Sequence, residues 1–253
     1  MNWAALDLTI IGPALLAGAI VLATHVPLGC EVLRRGIIFI DLAIAQTAGL
    51  GVIAANTFGW EVHGVAAQLA AVSAALLAAL ILTWTEARFE AVQEALIGLL
   101  FVLAATGGIL LLANNPRGGE ELRELLVGQI LWVDWHRLGP AAIVAAVVLT
   151  VWLAGHRRVG RAGFYILFAV SVTVSVQLIG LFLVFASLIV PALVVRPLNR
   201  LVLPVGYGVG ILGYGVGLVL SAQFDLPTGA IIVWSLGVVG LLTSILISRS
   251  SLV

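Results

Sequence analysis

Eight long apolar stretches, near residues 8–27, 36–56, 64–84, 93–113, 139–154, 164–195, 201–221 and 229–247, leave little of the chain outside them. A helix of about 20 apolar residues spans a hydrocarbon core of about 30 Å, and lipid obliges each segment to satisfy its own backbone polar groups. The sequence therefore predicts an all-α polytopic membrane protein, with residues 1–253 as a single transmembrane domain. Composition agrees, with 62% hydrophobic and 9% charged residues and a mean hydropathy of +1.21, far from the balance of a soluble domain. The opening "MNWAALDLTIIGPALLAGAIVLATHV" lacks the basic start of a cleavable signal and is expected to stay in the bilayer.

The stretch 164–195 is too long for one crossing, since a straight helix of that length would measure ~48 Å. Its polar centre, Ser171 to Gln177, followed by Gly180, predicts a break near 177–181. Two crossings there give nine in all, and a re-entrant segment gives eight. Arg34, Arg35, Arg88, Arg157, Arg158, Arg161, Arg196, Arg200 and Arg249 then fall on one side. Basic residues gather on the cytoplasmic face, so the N-terminus is expected outside and the C-terminus in the cytoplasm, as in a multi-pass inner-membrane protein. The longest polar interval, 114–138, spaces Leu122, Leu125, Leu126 and Ile130 at helical intervals. It predicts an interfacial helix with Trp132 and Trp135 at headgroup depth.

Twelve basic and twelve acidic residues cancel, so no overall field attracts nucleic acid. A single cysteine, Cys30, excludes an internal disulfide. No GxxxxGK[ST] loop cradles a nucleotide, and neither HExxH nor a supported nucleophile-base pair is present. The chain is therefore not expected to be an enzyme, and if it pumps, ATP hydrolysis belongs to a partner.

Within this apolar background Asp41 stands out. An intramembrane carboxylate costs about 2.5 kcal/mol or more on insertion scales and calls for a cavity, a partner or a cation. Two readings are open: a contact on a transport path, or an ion pair with Arg34 or Arg35 combined with capping after Gly36. His25, His63, His136 and His156 all fall at the ends of the apolar runs. His63 and His136 lie on the expected outer side, beside Glu61 and Asp134, and are candidates for an entry site. Glu94 opens the fourth span, where its charge complements the helix dipole. The glycine pairs Gly206/Gly210 and Gly213/Gly217 have the small-xxx-small spacing of close helix contacts, and mark a dimer or gate surface.

Five segments are similar, in order, to the permease subunits of ABC importers for zinc, manganese and iron: "PLGCEVLRRGIIFIDLAIAQTAGLG", "RFEAVQEALIGLLFVLAATGGILLL", "ELLVGQILWV", "VQLIGLFLVFASLIVPALVVRPL" and "FDLPTGAIIV". The resemblance implies a membrane homodimer with two cytoplasmic ABC ATPase subunits and an external metal-binding protein. It also implies a transported divalent metal, zinc first with manganese or iron as alternatives, and no permanently bound cofactor. In that family the residue matching Asp41 is joined one turn later by a histidine. Here that position is Ala45, so Asp41 carries over alone, with Gln46 as a neighbouring pathway candidate. The family's cytoplasmic coupling stretch is reduced to "GHRRVGRAG", whose His156, Arg157, Arg158 and Arg161 either dock an ATPase or only fix topology. An ion-coupled transporter or channel using Asp41 as a protonatable relay is the alternative function, and a non-transporting scaffold the third.

Overall fold

The computed structural model describes residues 8–60, 64–116, 118–155 and 160–250. The described residues form ten α-helices: α1 Leu8–Arg35, α2 Ile40–Thr57, α3 Val65–Arg88, α4 Gln93–Leu112, α5 Gly118–Val127, α6 Trp135–Gly155, α7 Arg161–Ile179, α8 Leu181–Val195, α9 Val202–Phe224 and α10 Thr228–Ser250. Eight are long and apolar enough to cross a membrane, and α8 is a shorter apolar helix. The protein is an all-α polytopic membrane protein.

The expected break falls at Gly180, which ends α7 and starts α8 with φ 82 and ψ 162. That region of backbone space is open to glycine almost alone. A Cβ there would also strike the backbone of Val127 and Gly128, and Gly128 itself has φ 70. The sharp turn is thus clamped by the end of α5. From it α8 runs back beside α9, with Ser187 hydrogen-bonded to Tyr214 at 2.8 Å and Pro191 meeting Gly206. Residues 164–195 therefore form two helices that turn back on one another at Gly180.

The helices sort into two ends. Arg34, Arg35, Arg88, Arg161, Arg196 and Arg200 lie at one, here the arginine end; α5, an amphipathic helix packed against α4, α7 and α8 at the opposite end, marks the cavity end. Trp132 and Trp135 follow α5 and are 82% and 60% exposed.

Small residues bring the helices together. The face of α3 formed by Ala67, Ala71, Ala75 and Ala79 is fully buried, and a Cβ at Gly51 of α2 would lie 2.7 Å from the Ala70 carbonyl oxygen. The glycine pairs of α9 are not an outer surface. Gly206 and Gly210 receive Val26 and Leu22 of α1, while Gly213 and Gly217 receive Leu236 and Ile232 of α10. This corrects their reading as a dimer contact, because the close approach is spent within one chain.

The first apolar run also extends further than its composition suggested. Pro27 lies inside α1, which continues to Arg35. A proline leaves the carbonyl four residues earlier without its helical donor; that carbonyl, of Ala23, accepts the Tyr207 hydroxyl at 3.0 Å. With α1 intact, His25 sits well inside the helix, fully buried rather than at a span end. It donates from Nδ1 to the Val21 carbonyl at 3.0 Å, beside the buried Thr24 and Ser171 hydroxyls.

Candidate functional site

Asp41 occupies the first turn of α2 and is 0% exposed. Neither carboxylate oxygen has a hydrogen-bond partner. The arginines nearest in sequence are already engaged. Arg34 grips Glu31 through Nε and Nη2 at 2.8 and 2.6 Å, and Arg35 donates Nε to the same carboxylate at 2.6 Å. Spacings of three and four residues put all three side chains on one face of α1. Arg35 is held further by the Phe164 ring, 4.4 Å from its guanidinium carbon, and by Glu86 at 4.0 Å. The ion-pair reading of Asp41 is thereby overturned, and the capping reading with it, since neither Asp41 oxygen accepts a backbone N–H. A buried carboxylate so isolated has to acquire a proton or a cation.

One turn on, Ala45 shares the face of Asp41 and is 2% exposed, so the position where a nitrogen ligand would stand holds a methyl group. Gln46 is only half-buried and lies about 140° round the helix from Asp41. His136 is exposed at the start of α6. His63, His156, Arg157 and Arg158 lie outside the described residues. Arg161 is half exposed and holds Glu86 at 4.0 Å, joining the start of α7 to the end of α3. Among the described residues no three His, Cys, Asp or Glu side chains come together as a metal cage.

Glu94, read from sequence as a dipole-complementing charge, has a more specific place. Its Oε1 accepts the Phe39 backbone N–H at 3.1 Å, tying α4 to the turn before α2. The preceding residue, Gln93, was not singled out by sequence. It is 4% exposed and donates Nε2 to the Leu82 carbonyl at 3.0 Å and to the Tyr165 hydroxyl at 3.3 Å.

At the cavity end, α2, α5, α6 and α7 enclose a cavity of about 400 Å³ lined by Asn56, Glu121, Glu124, Asp134, Arg137 and Gln177 among others. Here two carboxylates of α5, Glu121 and Glu124, are partnered. Glu121 accepts from Asn115 at 2.9 Å and Asn56 at 3.3 Å, and Glu124 from Gln129 at 2.8 Å. Three carboxylates against one guanidinium leave the lining acidic. Asp134 and Arg137 line it, while His136 does not.

An isolated carboxylate inside a many-helix bundle, below an acidic cavity, is an arrangement suited to passing a cation. Comparison with known proteins places it. The sequence profile of the ABC 3 transport family matches residues 7–159 and 156–247. A membrane protein from the ycf23-apcF intergenic region of Cyanophora paradoxa is 24% identical over 244 residues, covering 87% of this chain and 77% of its own length. The manganese transport system membrane protein MntC of Halalkalibacterium halodurans is 26% identical over 228 residues, 81% of this chain and 76% of its own. Among solved structures, a chain of PsaBC from Streptococcus pneumoniae in complex with Fab shares the fold with a TM-score of 0.76 at 22% identity, over 96% of this chain and 95% of that one. With the profile spanning nearly the whole sequence, this chain belongs to the ABC 3 transport family.

Proposed function

We propose that the chain is the membrane-spanning subunit of an ATP-driven importer of divalent transition metal ions, working with cytoplasmic ATPase subunits and an external metal-binding protein. The observation that carries the reading is Asp41, fully buried with both oxygens unpartnered, in a chain of a transport family. The arginine end is then cytoplasmic and the cavity end external, in agreement with the distribution of basic residues. Cargo enters through the acidic cavity, contacts Asp41 and leaves toward the arginine end.

Manganese takes first place over zinc, with iron between them. The donors offered along α2 are oxygens, the Asp41 carboxylate and the Gln46 amide, and Ala45 supplies no imidazole. Oxygen donors suit manganese, whereas zinc sites draw on nitrogen and sulfur. The relative MntC, named for manganese transport, points the same way. The homodimer implied by the family resemblance fits the exposed apolar faces of α9 and α10, which otherwise meet lipid. The isolation of Asp41 also suits a proton relay in an ion-coupled transporter, which would work without an ATPase.

The test is reconstitution of the chain with its ATPase and binding-protein partners in liposomes, following ATP hydrolysis and manganese uptake together. The proposal expects uptake that stops when the ATPase is omitted. Manganese uptake by the chain alone, driven by a proton gradient, would overturn it in favour of the relay.

A further inference from the structure

Seven buried side-chain polar atoms among the described residues lack a hydrogen-bond partner, and five are oxygens of Asp41, Glu86, Gln93 and Glu94. These residues lie at the arginine ends of α2, α3 and α4, and α2 packs on both α3 and α4. So high a concentration of bare acceptors at one end of a bundle needs an explanation, because each unpaired buried acceptor costs about 1–3 kcal/mol and a charged one more.

The local charges narrow what can supply it. Glu31 is neutralised by Arg34 and Arg35, and Glu86 has Arg35 and Arg161 at 4.0 Å. Asp41 and Glu94 have no ion pair among the described residues. Glu94 is anchored by the Phe39 N–H at 3.1 Å, two residues before Asp41, so its carboxylate lies within about 10 Å of the Asp41 Cα. Gln93 is oriented by the Leu82 carbonyl, which accepts only from the amide nitrogen; its Oε1 is therefore the free atom. What remains is two carboxylates and one amide oxygen, two negative charges with oxygen donors only.

We propose that Glu94 and Gln93 form, with Asp41, a release-side site for a hard divalent cation. The inference rests on the transport reading above and adds two residues to it. Oxygen donors of this kind favour manganese or another hard cation over zinc. Glu94 would keep its hold on Phe39 through Oε1 while presenting Oε2.

The full chain, purified in lipid nanodiscs, is titrated with manganese chloride and free ion is followed by the electron paramagnetic resonance signal of the hydrated metal. Asp41→Asn and Glu94→Gln are each expected to weaken binding at least about tenfold, as loss of a metal contact does. Glu94→Gln retains the acceptor for Phe39, so a purely structural role predicts wild-type affinity. Weakened binding in Asp41→Asn with wild-type affinity in Glu94→Gln overturns this site and leaves the transport reading standing. Wild-type affinity in both, or no binding by the unaltered chain, overturns the site and the Asp41 contact together. Gln93→Glu adds a donor charge and is expected to tighten binding; unchanged affinity there overturns the site even where Glu94→Gln does not fold.

Discussion

At the cavity end Glu121 takes hydrogen bonds from Asn56 and Asn115, and Glu124 from Gln129, around an open volume of about 400 Å³. At the arginine end the fully buried Asp41 takes none, and the half-buried Glu94 leaves one oxygen bare. The same chemical group is satisfied in one place and withheld in the other. Carboxylates beside open volume retain water as a partner, so their charge is cheap and attracts cations without holding them tightly. A dry carboxylate has no such reserve, and its binding capacity stays available to an incoming ion. The difference separates attraction of cargo from coordination of cargo.

The comparison depends first on the backbone seam that closes the cavity end. Gly180→Val places a branched side chain at φ 82 and against the Gly128 backbone. Strain and overpacking together come to several kcal/mol, roughly 1–2 from the backbone and 1–3 or more from the clash. The expected outcome is loss of folded protein from the membrane fraction, read by yield and by size-exclusion profile. A stable, monodisperse variant would mean that the α7 to α8 turn is not clamped by α5.

Next in size is conversion of the oxygen site to a mixed one. Ala45→His puts an imidazole on the buried face of Asp41, the spacing that lets two side chains grip one ion. Zinc affinity is expected to rise about tenfold relative to manganese, since nitrogen donors favour zinc. Competition binding of the two metals measures it, and an unchanged zinc to manganese ratio would show that the face of Asp41 is closed to cargo.

The smallest effect belongs to the cavity. Glu121→Ala releases the amides of Asn56 and Asn115 to water, and manganese uptake is expected to fall no more than about threefold, as for a steering charge screened by salt. A loss as large as that of an inner-end variant would erase the distinction between the two ends.

Much of the architecture was legible in sequence because lipid forces it. The apolar runs, the break at Gly180 and the amphipathic helix α5 all follow from helix length, glycine chemistry and amphipathic spacing. Asp41 was legible as a residue out of place. What could not be read was the allocation of partners. Glu31 rather than Asp41 takes Arg34 and Arg35, although the three- and four-residue spacings permitted that choice. His25 was placed at a span end because the first apolar run was bounded at 27; α1 continues to Arg35, and the Tyr207 hydroxyl, far away in sequence, satisfies the Ala23 carbonyl that Pro27 leaves without a donor. The α9 glycines announced a close contact without naming its partner, which lies in α1 and α10 of the same chain. Gln93 gave no signal, because its importance comes from the carbonyl of Leu82 on another helix.

The central claim is that Asp41 is left unpaired in order to meet cargo. Manganese uptake by the reconstituted assembly carrying Asp41→Asn tests it most directly, with assembly and melting temperature matched to the unaltered protein. Asparagine keeps the size and removes the charge. The account predicts uptake reduced at least about tenfold, as for a lost metal contact; full uptake by the variant would contradict it.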